Sequence, residues 1–543
     1  MSHRQETVRA ASIVVTAAAL SLAAACSSTE TLSPIGTTGG GGHPGTTSSS
    51  STSTSGGQGG SGGVPVDLGD SVLQHHKNPS RDGVYIQPSI TPASAPAMHL
   101  DPTFKAVTQG ATYAQPLFLD GGASGKDLVF AATEENRVYA LDAATGATVW
   151  SKKLGEPVKL SDLPCGNIDP LGITGTPVID EASRTLFVNA MTSPDGGFTK
   201  KHLIFGLSVD TGEVRVGFPV DVSAAAKTPN LAFDSAIQNQ RGALVISGGI
   251  LYVPYGGHFG DCGDFHGWVV GVPLSNPVAV QAWATLGKGG GTWAPGGLSS
   301  DGNGVYLATG NTFGAPTWLG GEAIIRLGAG PAFSYTPTDY FAPTDWMALD
   351  AGDVDIGGSG PVLFDLPGAV PSKLTIALGK NSKAYLLDRT NLGGISEGIA
   401  SAVVATNEII NAAAAVTTGK GTYVIFNGTG KSCPAGMSGN LVALKIGVGS
   451  PPTISTAWCA DEHGTGSPMV TTTDGHAGAV VWTMGVQGDG KLHGFDGDSG
   501  VEIFTGGGVG DTMSGLKRFS TPIAAKGRIF AAGTSAVYAF TSQ

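Results

Sequence analysis

A unit of about 58 residues recurs along this chain, and no other feature narrows the possible folds as far. The clearest copy is VYALDAATGATVW at 138–150: an apolar strand, an Asp, a Thr-Gly turn and a second strand carrying Trp150. Weaker copies are IFGLSVDTGEVRV (204–216), WVVGVPLSNPVAVQAW (268–283), AIIRL (323–327), AYLLDRTNLGG (384–394), LVALKIGVG (441–449), LHGFDGDSGVEIF (492–504) and VYAFTSQ (537–543). A proline opening an apolar strand tracks them, at Pro116, Pro177, Pro361, Pro468 and Pro522. The first and last are 406 residues apart, or seven intervals of 58. Eight such units need about 464 residues, and 66–543 supplies 478.

Equal, strand-sized units with tight turns favour small sheets set radially, because a closed ring leaves only short, protected edges. The fold expected is all-β: an eight-bladed β-propeller of four-stranded blades over 66–543. The Thr-Gly and Asp-Ser-Gly turns supply the positive φ of a tight hairpin, and a Trp per unit gives apolar area between sheets. The A-L-D strands read as the inner strands of the blades. The last unit stops after such a strand, so its missing outer strand is expected from near Ala97–Ala106, closing the ring. Composition agrees. Glycine numbers 85 of 543, too many for a helical bundle, since each costs about 1 kcal/mol inside a helix. A net charge of −12 without basic runs argues against nucleic acid as a partner.

The N-terminus reads as an address. Arg4 and Arg9 precede the apolar run Ala10–Ala25, too short to span a bilayer. Leu22-Ala23-Ala24-Ala25-Cys26-Ser27 resembles a bacterial lipobox, which implies a signal peptide over 1–25 and lipidation of Cys26; Ser27 after it suggests the outer membrane. From 27 to 63, 30 of 37 residues are Ser, Thr or Gly, the composition of a disordered tether. The expected product is a lipid-anchored monomer of the cell envelope, facing the periplasm or the outside. Four further cysteines suit an oxidising compartment. Cys433–Cys459 is favoured as the shorter loop to close, with Cys165–Cys262 as the other bridge. No CxxC is present to form a zinc ribbon or to attach a haem.

The unit A-L-D-x-x-T-G-x-x-x-W resembles the repeat of the quinoprotein propellers, best known from alcohol dehydrogenases that use pyrroloquinoline quinone (PQQ). It also resembles that of the propeller lipoprotein of outer-membrane protein assembly. KGGGTWAPGGLSSDGNGVYLATGN at 288–311 is similar to the quinoprotein segment holding the Trp that stacks on the quinone and a Gly-Asn that contributes a calcium ligand. The resemblance implies Trp293 as a stacking residue and Asn311 as a metal ligand, with Lys380 near the cofactor. Departures are as clear. The chain lacks the adjacent cysteines of the enzymes' ring disulfide, and no Asp stands in FGAPTWLGGEAIIRL (313–327), where they carry the proposed base; Glu322 is the nearest acid. In GDCGDFHGWV (260–269), Cys262 occupies the place of the calcium-binding Glu, leaving Asp261 or Asp264 as substitutes.

Each candidate also has a plain structural reading. Trp293 could pack between blades, as Trp150 and Trp283 are expected to. Asp261, Asp264, His258 and His266 could be polar turn residues. Asp350, Asp353 and Asp355 could bind Ca²⁺ through oxygen or serve as turn residues. Asp496-Gly497-Asp498-Ser499-Gly500 aligns with the repeat's turn and reads as one. GTGKS (428–432) is no phosphate loop, because Ile425 stands where its first Gly belongs. His75, His76, Asn78 and Arg81 form a polar motif before the ring, expected to seal one mouth of its channel. Two functions follow. The first is a non-catalytic interaction scaffold with envelope protein partners. The second is a divergent quinoprotein using PQQ and Ca²⁺ to oxidise an alcohol or sugar, with Glu322, Asp350, Asp353 or Asp355 as base.

Overall fold

The computed structural model describes residues 69–543, so the signal peptide, Cys26 and the tether lie outside the described residues. Within that range the chain forms eight antiparallel sheets in sequence order, each of four strands with additions in some blades. Blade 1 comprises Leu117–Leu119, Leu128–Ala132, Arg137–Asp142 and Thr148–Lys153. The first strands of blades 2 to 8 begin at Val178, Val245, Ser299, Val362, Ala414, Met469 and Ile523. Among the described residues the two α-helices are short, Val222–Ala225 and Trp346–Gly352.

The A-L-D strands are not innermost. They are third in their blades, as Arg137–Asp142 is in blade 1, and the proline-opened strands line the axis. Neighbouring first strands touch one another, which only the crowded centre of a ring permits. Proline suits the first residue of such a strand, where no ladder donor is required.

The repeat's residues explain the packing between blades. In blade 1 the Asp142 carboxylate accepts the backbone N–H of Ala144 and Thr145, and Gly146 closes the hairpin at φ 77°. Trp150 then reaches blade 2, where its indole N–H donates to Val209 O at 2.8 Å. Its ring lies where a Cβ on Gly212 would come within 2.6 Å, so the turn glycine of one unit is the seat for the Trp of the unit before it. Trp458 does the same on Gly500 of blade 7. Aliphatic side chains fill the rest: Phe130 and Ala140 of blade 1 meet Ile179 and Val188 of blade 2.

Blade 8 takes its outer strand from the start of the fold. His99–Leu100 and Ala106–Val107 pair with Ala536–Thr541, as expected from the truncated last unit. The segment 72–87 goes further than sealing a mouth. It winds through the channel and meets the blades in order. Val72 exchanges hydrogen bonds with Phe118 of blade 1, and Leu73 O accepts Ile179 N of blade 2. Arg81 donates to Leu244 O at the start of blade 3. Pro79, Ser80, Asp82 and Gly83 carbonyls accept Ser300, Leu363, Ala415 and Val470 N–H of blades 4 to 7. Gln87 accepts Gly527 N of blade 8 at 2.7 Å. Both disulfides, Cys165–Cys262 and Cys433–Cys459, are formed.

Candidate functional site

In an up-and-down blade, the connection between strands two and three and the connection onward to the next blade emerge on the same rim. The cofactor, metal and base candidates read from the sequence stand on this rim. Trp293 is on the way from blade 3 to blade 4, and Asp350, Asp353 and Asp355 on the way from blade 4 to blade 5. Asn311 and Glu322 lie between strands two and three of blade 4, Lys380 between those of blade 5, and Asp261 and Asp264 between those of blade 3.

Asp355 is the hub, 3% exposed. Its carboxylate accepts the Trp293 indole N–H at 3.0 Å and the Asn311 backbone N–H at 2.9 Å, and pairs with Lys380 Nζ at 2.9 Å. The approach is close at Gly310, where a Cβ would stand 3.0 Å from the carboxylate and push it back by a few tenths of an ångström. Lys380 Nζ also bonds the exposed Asp353 at 2.8 Å and stands 5.5 Å from the Trp293 ring centroid, within cation–π range. Burial alone would lower the lysine, but the Asp355 and Asp353 charges outweigh it and hold the ammonium above its ordinary value.

The other acids are spoken for. Asp350 accepts from the Thr312 backbone and hydroxyl and from Gly314 N, tying the 309–323 loop to the helix Trp346–Gly352. Glu322 is fully buried; Oε2 accepts Ile356 N at 2.9 Å and Oε1 has no partner. Burial, then the charges of Asp355 and Asp350, push its carboxyl up to about 9, so it is uncharged at neutral pH. Asp261 is pushed up by desolvation, with Asp353 and Asp355 adding repulsion. Asp264 is exposed and makes no hydrogen bond or ion pair within the described residues. His258 donates to Ala236 O and His266 to Thr285 O, while Cys262 is held by Cys165, so that loop is a braced polar turn.

A quinone stacked on Trp293 beside Ca²⁺ would need a free ring face and several carboxylate oxygens pointing at one spot. The residues as arranged do not fit it. The Asp355 oxygens are spent on Trp293, Asn311 and Lys380, Glu322 is neutral, and the acids here do not converge as a ligand set. The Asn311 side-chain amide is the one donor of the expected pair still without a hydrogen bond among the described residues.

Sequence reasoning missed a second polar group on the same rim, nearer the axis. A small cleft, with room for about one water, is lined by His75, Tyr113, Thr174, Thr176, Arg241, Pro295 and Phe519. Beside it, buried Glu134 accepts Gly172 N and the Thr174 hydroxyl, and burial raises its carboxyl to about 7. Glu134 follows the second strand of blade 1, the same connection that supplies Asn311 in blade 4. That equivalence was the available signal.

Residues 106–215 match the family described as outer membrane protein assembly factor BamB. No curated protein matches the chain by sequence. Among solved structures, quinohemoprotein alcohol dehydrogenase from Comamonas testosteroni is 14% identical, covering 88% of this chain and 81% of its own at a TM-score of 0.58. Quinohemoprotein alcohol dehydrogenase ADHIIG from Pseudomonas putida HK5 is 13% identical over 87% and 80%, with a TM-score of 0.60. A europium-containing methanol dehydrogenase is 16% identical over 86% and 89%, with a TM-score of 0.57. At such identities the likeness is one of fold: the chain is a propeller of the PQQ-like type.

Proposed function

We propose that this PQQ-like propeller is a non-catalytic binding scaffold of the cell envelope, carried by a lipid on Cys26 and held off the membrane by the 27–63 tether. One observation carries the reading: the Trp293–Asp355–Lys380 group is a closed structural brace. A carboxylate serving as general base must be ionised and within reach of a substrate proton. Asp355 is buried and paired, Asp350 is bound to a loop backbone, Glu322 is uncharged, and Asp353 is exposed to water against Lys380. Envelope proteins are the partners this reading implies, with the rim loops as the contact surface.

The competing reading, a quinoprotein oxidising an alcohol or sugar with PQQ and Ca²⁺, draws on the convergence of Trp293, Asn311 and Lys380 around Asp355. The two are separated by titrating the purified chain with PQQ plus Ca²⁺ while following Trp fluorescence and heat. The scaffold reading expects flat traces. It also expects Trp293→Ala to cost about 3 kcal/mol, a few degrees of Tm at roughly 1 °C per kcal/mol for a fold of this size. Saturable, calcium-dependent binding that Trp293→Ala removes would replace it with the quinoprotein reading. Cys26→Ser should release the protein from the membrane fraction.

A further inference from the structure

Blade 7 carries a group of side chains that the repeat does not require. A bulge recurs in the outer hairpins of blades 1, 6 and 7, between Ala140 and Leu141, Ala443 and Leu444, and Gly494 and Phe495. It aligns Tyr139 and Thr148 of blade 1 with Val442 and Thr456 of blade 6, and both pairs with His493 and Glu502 of blade 7. The fold is thus content with Tyr and Thr, or Val and Thr, at these places. Blade 7 has a histidine and a glutamate, and the bulge is what turns Glu502 to the His493 face of the sheet.

His463 joins them from the connection between blades 6 and 7. Its backbone is fixed: its carbonyl accepts Asp489 N at 3.3 Å, and a Cβ on Gly488 would meet that oxygen at 1.8 Å. The two imidazoles stack at 4.3 Å between centroids. His493 Nδ1 is 2.8 Å from Glu502 Oε1, and His463 Nε2 is 3.3 Å from the same carboxylate. Among the described residues, this is the group of three His, Cys, Asp or Glu whose ligand atoms all lie within 4.8 Å of one another. On the far side of the ring, Asp489 Oδ2 is 3.0 Å from His493 Nε2.

We propose that His463, His493 and Glu502 bind a divalent transition metal of the zinc type. Two imidazole nitrogens and a carboxylate are the donor set that Zn²⁺ and its borderline neighbours take. Asp489 accepts the Nε2 proton of His493 and so leaves the Nδ1 lone pair facing Glu502, the outer-shell arrangement that orients metal-bound histidines. A lone pair and a carboxylate oxygen 2.8 Å apart need a positive charge between them, and a metal ion supplies it. His493 is 2% exposed, which fixes its geometry, whereas the His463 side chain is 36% exposed and gives the ion a way in.

The test is calorimetric titration of the chelator-treated full chain with Zn²⁺ near neutral pH, and with Co²⁺ followed by visible absorption. We expect saturation at one equivalent and a cobalt d–d band. His493→Ala and His463→Ala should each weaken binding by about 100-fold or more, and Asp489→Asn by about 10–100-fold. His463→Ala keeps the test sound should His493→Ala fail to fold, because the His463 side chain contributes little to the core. Trp293→Ala should leave zinc binding unchanged. No saturable binding, or binding that His463→Ala leaves intact, would overturn the proposal and leave His493 as a protonated ion-pair residue between Asp489 and Glu502.

Discussion

Glu322 shows how one buried acid reports on its surroundings. The folded chain keeps a proton that the unfolded chain releases above its ordinary value of 4.5. Stability should therefore fall as pH rises between about 5 and 9, by up to about 1.4 kcal/mol per pH unit. In Glu322→Gln the amide carries no such proton, so thermal melts across pH 5–8 should give a flatter curve than the parent; parallel curves would mean the carboxyl is ionised in the fold. The acid itself was legible in the sequence as the nearest carboxylate to a missing base. Its neutrality was not, because that depends first on burial and then on the charges of Asp355 and Asp350, which come from the neighbouring connection. Asp355 as hub was equally hidden: nothing in an Asp-rich turn tells which of three acids points inward. His463, His493 and Glu502 left no motif, since a connection and two paired strands bring them together across a bulge.

At the scale of strands and loops the sequence was far more informative. The Asp, the turn glycine and the Trp each have a local role that repeats, so their spacing exposed the blades, the period and the borrowed outer strand of blade 8. It misassigned which strand faces the axis, because alternation along a strand says which faces are buried but not the distance from the centre. The two disulfides act at this scale too. Cys165–Cys262 ties the connection between blades 1 and 2 to a blade 3 loop across 97 residues, whereas Cys433–Cys459 spans 26. On loop entropy, removing the first should cost about 4–5 kcal/mol and the second about 3–4 kcal/mol. Melting Cys165→Ser and Cys433→Ser side by side checks the order; equal losses would say that local packing rather than loop length sets it.

For the molecule as a whole, the channel segment links elements that otherwise touch only their neighbours. A stack of repeats can lose its ends or fray blade by blade, but 72–87 is bonded to all eight blades. Arg81 is its anchor. The guanidinium is 2% exposed and donates to Leu298, His75 and Leu244 carbonyls at 2.7 Å each, with no carboxylate among these partners, and burial lowers it to about 9. Arg81→Ala strands three buried carbonyls at about 1–3 kcal/mol apiece and should broaden the melt as well as lower it. Arg81→Lys should rescue little, because a single ammonium cannot reproduce the fork. A sharp, single transition shifted by less than a degree would show that the segment is a filler rather than a tie.

The borrowed strand of blade 8 sets a timetable. Leu100 pairs with Phe540, 440 residues further along. At ordinary translation speeds of about 5–20 residues per second, roughly 20–90 s separate the appearance of the two partners. Throughout that interval the nascent chain is an unfinished arc: one side of blade 1 is bare, and a short strand with unpaired N–H and C=O groups waits for a mate not yet made. That exposed arc, more than the finished ring, is the species a chaperone would meet and the one at risk of pairing with the wrong chain.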